Sequence, residues 1–335
     1  METSTVKVPQ VISDSDAQRF AAIDNLLSRL DKLHSSPVVA LQVMELTKDP
    51  DFEMCDVSRC LDHDPALAAS ILRLVNSSYY GLSAPVMSLP HAVTYLGRRP
   101  LRLAVLSFGL VKTLVSGAPA QFHQTYWKRS LTMAAAARKC AEISDDREAD
   151  ADTAFAAGLL ADLGMLVLAQ LETEQYVEIA EEPDHTMALV KQEREAFGFD
   201  HILVGQRLLA KWELPAALID AVASHHTYLP ISPTLNHILL TANLMTEVLW
   251  NPASVYMQPL QQVLTRRLGL EVDELITLAT ETETAIKESM EIFGVRLEDE
   301  IDLEVVEQQA REQFEEAAKD SDDFLGGLET LVEVV

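Results

Sequence analysis

Gly158-Leu159-Leu160-Ala161-Asp162-Leu163-Gly164 is the stretch whose reading decides the fold. It lies inside an apolar run from Ala154 to Leu171, the kind of segment a helical domain places at its centre. One carboxylate, Asp162, is embedded in that run with no basic residue near it in sequence. Desolvating an unpaired charge costs several kcal/mol or more, so a buried Asp162 calls for a strong partner or a metal. Its neighbour Ala161 can serve as neither.

Outward from this run the chain reads as helix after helix. Phe20, Ile23, Leu26, Leu27 and Leu30 follow helical spacing between Ala17 and Leu33. Pro37 fits the first turn of a second helix ending near Asp49-Pro50, and Asp56 is a candidate cap for a third. Asp64-Pro65 opens a fourth, Ala66 to Val75. Past a break at Ser116 to Pro119, a helix carries Tyr126 to Ser130 and an Ala-rich tail to Cys140. Asp200 is placed to cap Ile202 to Trp212, Pro215 to start the next helix, and Ile238 to Trp250 form another. No sustained alternation suggests a sheet, so the fold class is all-α.

The chain of 335 residues is 48% hydrophobic, enough for a large core in one or two domains. The reading finds no uncharged run of membrane-spanning length and no signal-peptide pattern at Met1 to Gln10. Cys55, Cys60 and Cys140 form neither a disulfide framework nor a zinc pair. A cytoplasmic location is the default expectation. With 26 basic against 52 acidic residues the net charge is -26, which disfavours nucleic acid as a partner. Pro252 to Val335 holds 6 basic and 21 acidic residues, a balance of -15. That end shows helical stripes, stops at Gly269 and Gly294, and an apolar tail from Phe324 to Val335. It reads either as an extension packed on the main domain or as a dimerisation or docking segment.

Two local clusters are candidate binding surfaces. Asn76, Ser77, Tyr80 and Gly81 close the fourth helix; they read as a capped helix end or as a polar rim for a ligand or partner. Arg98, Arg99 and Arg102 stand near a helix start, where they could hold a phosphate or an acidic segment, or simply balance nearby acid.

Several ordered motifs carry a family resemblance: Asp62-His63-Asp64-Pro65-Ala66-Leu67, Ile71 to Ser77, Tyr80-Gly81, Ser88-Leu89, and Ala92-Val93 through Leu96-Gly97. Together they resemble the HDOD family, HD-related output domains of bacterial signalling proteins, over roughly Leu30 to Trp250. Later, Glu193, Gly198, Asp200-His201, Gly205, Trp212, Leu214-Pro215 and His225-His226 are similar to motifs of HD-type phosphodiesterases. The resemblance implies an N-terminal helical part (17–116), a degenerate HD-like bundle (117–251) and an added acidic region (252–335), after a loose lead-in (1–16).

Active HD domains hold divalent metal with a His, a His-Asp pair and a later Asp. Carried over by resemblance, the first His falls at or near Arg129, the His of the pair at Ala161 and the late Asp at Asn243; only Asp162 is kept. The expectation is therefore no metal, no cofactor and no catalysis. Asp162, His201, His225 and His226 remain as residual metal candidates, with the adjacent histidines expected to point about 100° apart on a helix. The same carry-over implies an Arg129–Asp162 ion pair in place of a metal. The function expected is a non-catalytic signalling scaffold binding other signalling proteins, with a homodimer as one arrangement. The alternatives are a metal-dependent phosphohydrolase of a cyclic dinucleotide, or a small-ligand sensor with its pocket at the seam between the halves.

Overall fold

Small side chains set how closely the central helices approach. The computed structural model describes residues 14–319 apart from 34–37, 48, 50–51, 145, 147–149, 181–185, 228–232 and 266–269. Among the described residues every regular element is helical. The first group is α1 (Asp14–Leu33), α2 (Val38–Leu46), α3 (Met54–Leu61), α4 (Pro65–Val75), a 3-10 turn at Ser78–Tyr80, α5 (Leu89–Leu96) and α6 (Arg98–Gly117). The second is α7 (Ala120–Ile143), α8 (Ala151–Leu160), α9 (Leu163–Leu171), α10 (Thr173–Ala180), α11 (Thr186–Phe197), α12 (His201–Lys211), α13 (Ala216–Ser224) and α14 (Thr234–Trp250). The third is α15 (Met257–Val263), α16 (Val272–Phe293) and α17 (Leu303–Lys319).

Helix α7 is the axis, with α8, α14 and α16 packed around it. Met133 to Ala137 are fully buried along it. At Gly158 the backbone of α8 lies so near α7 that a Cβ would stand 2.5 Å from the Met133 carbonyl oxygen. Gly164 does the same between α9 and α12: a Cβ there would lie 1.9 Å from the His201 carbonyl oxygen. The two glycines of the opening stretch are thus close-approach positions, required by backbone meeting backbone.

The apolar run around Asp162 is two helices and not one. Ala161 and Asp162 form a turn between α8 and α9, with Asp162 at φ -95°, ψ 16°. Apolar periodicity alone continued the helix through this point. The break places the Asp162 carboxylate at the N-terminus of α9, where the helix dipole favours negative charge. Its oxygens make no cap bond to the α9 backbone; they are engaged elsewhere.

Other expectations resolve along the chain. Asp64 and Asp200 cap as anticipated, accepting from Leu67 N (3.0 Å) and Leu203 N (2.8 Å). Helix α1 begins at Asp14, earlier than Ala17, because acidic residues suit a first turn without adding apolar periodicity. Glu53, not Asp56, is the N-cap of α3, and Asp56 lies in its first turn. Gly294 ends α16 with φ 66°. Residues 1–13, Pro37, Pro50, Gly269 and Phe324 to Val335 lie outside the described residues. Two segments, Arg98–Gly117 and Ala151–Leu171, are long and apolar enough to cross a membrane by length and composition; most of each is buried in the bundle. The second carries Asp152 and Asp162, so it escaped a search for uncharged runs.

The acidic third group is seated on the other two. Phe293 at the end of α16 packs edge-on against Phe108 of α6 (4.7 Å between ring centroids) and at a tilt against Trp127 of α7 (5.2 Å). Arg73 Nε of α4 donates to the Ile292 carbonyl at 2.7 Å, and Lys128 pairs with Asp299 at 2.7 Å.

Gly164→Ala is expected to lower unfolding stability by about 3 kcal/mol, since helix backbone must move to admit the methyl group. At Gly205 of α12 a Cβ would meet nothing nearer than 3.5 Å. Gly205→Ala should therefore stay within about 1 kcal/mol of wild type or gain stability through helix propensity. Urea unfolding of the two variants side by side checks the contrast.

Candidate functional site

Arg129 lies in the middle of α7 and reaches toward the turn between α8 and α9. Its Nε donates to Asp162 Oδ2 at 3.0 Å, its Nη1 to Glu247 Oε1 at 2.6 Å, and its Nη2 to Asn243 Oδ1 at 3.3 Å. The ion pair expected from the resemblance is present, with the Asp162 side chain shielded from solvent and that of Arg129 only 15% exposed. Asn243 and Glu247 are one helical turn apart on α14, so both face α7. Glu247 was not anticipated; its i+4 spacing from Asn243 was the available signal. Burial pushes the Asp162 carboxyl up, but Arg129 foremost, then His225 and His201, more than offset this and hold it well below the usual carboxylate range.

The other oxygen of Asp162 faces histidines. His225 Nε2 lies 3.4 Å and His201 Nε2 3.6 Å from Asp162 Oδ1. His226 Nε2 is 3.2 Å from His201 Nε2. Asp162, His201 and His225 are at most 1% exposed, and His226 8%. The residual candidates therefore meet: each offers one donor atom, all within 4.8 Å of one another. The expectation that His225 and His226 diverge fails. His225 is the C-cap of α13 and His226 belongs to the following turn, where the helical 100° step no longer applies; their rings are 4.0 Å apart.

Supporting groups hold these rings. His201 is the first residue of α12, and its Nδ1 lies 2.7 and 2.9 Å from the carboxylate oxygens of Glu193 on α11. Glu193 also accepts from His201 N (2.9 Å) and from the buried Tyr176 hydroxyl (2.7 Å). Tyr176 carried no signal in sequence beyond its apolar surroundings. His225 Nδ1 bonds the Val222 carbonyl at 2.6 Å, and Asn243 Nδ2 lies 3.1 Å from His226 Nδ1. Burial lowers the affinity of His201 for a proton, but Glu193 outweighs it and raises the pKa. Burial, with His225 and His201 beside it, drives His226 well below the ordinary imidazole range.

The candidate binding residues lie apart from this cluster. Asn76 donates to the Leu72 and Val86 carbonyls (2.9 Å each) and accepts from Val86 N (2.7 Å), tying down the chain after the 3-10 turn. Ser77 Oγ donates to the Leu74 carbonyl at 2.7 Å. Tyr80 packs edge-on against Tyr79 and Tyr95, and Gly81 holds φ 56°. The three arginines diverge. Arg98 lies over the Phe52 ring at 4.5 Å, and Arg99 reaches Thr153 (3.0 Å) and Asp150 (3.6 Å). Arg102 has its Nε buried without a hydrogen-bond partner among the described residues. No shared anion site is built from these three in the described contacts. At the seam, Ser78 and Tyr79 line a cavity of about 520 Å³ with Arg138 and Lys139 of α7 and Thr284 and Glu288 of α16.

Known proteins place this architecture. A family model described as HDOD domain matches residues 33–228. The chain belongs to the HDOD family. An uncharacterized protein of Treponema pallidum is 25% identical over 237 residues, 69% of this chain and 44% of that protein, so the match spans less than half of that relative's length. An HDOD domain protein of unknown function from Geobacter sulfurreducens aligns at TM-score 0.55 and 23% identity, covering 95% of this chain and 99% of that one. A Marinobacter aquaeolei structure, provisionally named a signal transduction protein, gives 0.61 at 20% identity, covering 87% and 68%. A Shewanella amazonensis structure, provisionally named a phosphohydrolase, gives 0.57 at 23% identity, covering 85% and 97%. These structural likenesses establish the shared HDOD fold.

The paired metals of an HD phosphohydrolase do not fit here. Arg129 holds a fixed positive charge on Asp162 Oδ2, Ala161 offers no ligand, and Asn243, where the resemblance puts an Asp, is a neutral amide. Arg129→Met should destabilise the fold by about 3–5 kcal/mol, because Asp162 and Glu247 then lose a buried cation. Arg129→Lys should recover only part, since an ammonium cannot reproduce the forked contacts. Urea unfolding of wild type and both variants measures the difference.

Proposed function

We propose that this HDOD-family protein is a non-catalytic signalling scaffold that acts by binding another signalling protein through its HDOD domain. The observation that carries the reading is Arg129. A permanently charged guanidinium, held by Asp162, Glu247 and Asn243, lies where the resemblance puts a metal-binding histidine. Hydrolysis by the HD route needs metal ions to activate water and to neutralise a phosphate. The side chains that would do this are shielded from solvent, with His201 and His225 at 0% exposure.

Around the family motifs, apolar side chains remain on the surface. Met87 is 84% exposed and Tyr95 45%. They lie in the segment between the 3-10 turn and α6, and they supply apolar contact area of the kind a partner protein buries. Cytoplasmic placement and the identity of the partner belong to this proposal as expectations.

The full-length protein supplied with Mn²⁺, Mg²⁺ or Fe²⁺ should release no product from cyclic dinucleotides above a protein-free blank. Turnover that disappears in Asp162→Ala would overturn the reading. Affinity capture with cross-linking from native extract, repeated with Met87→Asp, should lose the partner recovered by wild type.

A further inference from the structure

The Asp162 cluster has an unresolved electrostatic problem on its histidine side. Both oxygens of the Glu193 carboxylate can only accept, so the His201 Nδ1 lying 2.7 and 2.9 Å from them carries the hydrogen. The same holds for His225 Nδ1, 2.6 Å from the Val222 carbonyl oxygen. A neutral imidazole has one N–H, so Nε2 of both rings presents a lone pair. The His201 lone pair is met by His226 Nε2 at 3.2 Å, while that of His225 faces Asp162 Oδ1 at 3.4 Å. Neither Oδ1 nor His225 Nε2 has a hydrogen-bond partner among the described residues. Electron-rich atoms confronting one another out of contact with water are unfavourable unless a cation lies between them. Arg129 does not serve, because it binds the opposite oxygen, Oδ2.

We propose that one divalent transition-metal ion of the zinc type binds here, held by Asp162 Oδ1 and the Nε2 atoms of His201, His225 and His226. A tetrahedral shell with bonds of about 2.0–2.1 Å separates its ligands by about 3.3–3.4 Å. Three of the six separations within the set, 3.2, 3.4 and 3.6 Å, lie near that spacing, and all six lie within 4.8 Å. Glu193 behind His201 and the Val222 carbonyl behind His225 orient the rings as outer partners of metal-bound imidazoles do. His226 makes the one adjustment. Its Nε2 hydrogen now points at His201 Nε2; the ion takes that place, and the Asn243 amide turns its oxygen to accept from Nδ1, giving up the bond from Arg129 Nη2, at 3.3 Å the longest of the three that hold the guanidinium.

Four protein ligands in a buried shell leave no open position for water, and Arg129 bars a second ion from Asp162 Oδ2. The ion is therefore structural: it ties the α8–α9 turn to α12 and to the end of α13. This inference does not rest on the scaffold reading.

Elemental analysis of the native full-length protein should find about one equivalent of transition metal. After chelation, Co²⁺ added to the wild type should give the intense visible absorption of four-coordinate cobalt, and Zn²⁺ should raise the melting temperature. His225→Gln and His226→Gln, checked for retained helix by circular dichroism, should lose both signals, while Asn243→Asp should tighten binding. Wild-type protein that carries no metal and yields no cobalt spectrum overturns the inference, since a cluster neutralised by protons alone gives neither signal. Full metal content in His225→Gln would overturn it as well. Metal without phosphodiesterase turnover leaves both readings standing; turnover removes the scaffold reading, and absence of metal removes only this one.

Discussion

A guanidinium placed in a helical core must be met by carboxylates, and in this protein two helices and a turn are positioned by that demand. Arg129 on α7 is bonded to Asp162 between α8 and α9 and to Asn243 and Glu247 on α14. Removing Arg129 would leave the buried Asp162 and Glu247 carboxylates without their cation, which is far more costly than the pairing itself is stabilising. The interaction therefore acts mainly on specificity: helices drawn together by non-directional apolar burial are given one rotation and one register. The break at Asp162 follows from the same demand. An unbroken helix from Ala151 to Leu171 would carry Asp162 with α8, whereas the turn lets one oxygen meet Arg129 and the other meet the histidines.

Close backbone approach is the second constraint. Gly158 against α7 and Gly164 against α12 bring the Asp162 turn within reach of residues far away in sequence. A methyl group at either position would push a helix outward and spread the cluster of donor atoms. Packing and polar chemistry are thus coupled in a single seven-residue stretch. The acidic third group adds to this by wedging Phe293 between α6 and α7, so that the two halves of the HDOD unit are clamped from outside the segment the family model covers.

Much of this was legible before any coordinates. Apolar periodicity named the helices, and Asp64 and Asp200 announced their own caps because capping is local chemistry. Arg129 and Asp162 were paired only through the family resemblance, since 33 residues separate them and nothing local joins them. Glu247 and Tyr176 were missed for the same reason. Each looks like an unremarked member of a helix until its neighbour on another helix is known. His225 and His226 converge because the chain is already turning there, and a helical step no longer separates adjacent side chains.

The sequence by itself determined the all-α class and the order of the helices, because these depend on residue identity and short-range spacing. Only the tertiary structure decided what the surviving polar residues do. Two buried oxygens on one carboxylate acquired opposite environments, an arginine on one side and three imidazoles on the other. That division depends on distances between residues far apart in the chain, which periodicity and composition do not encode.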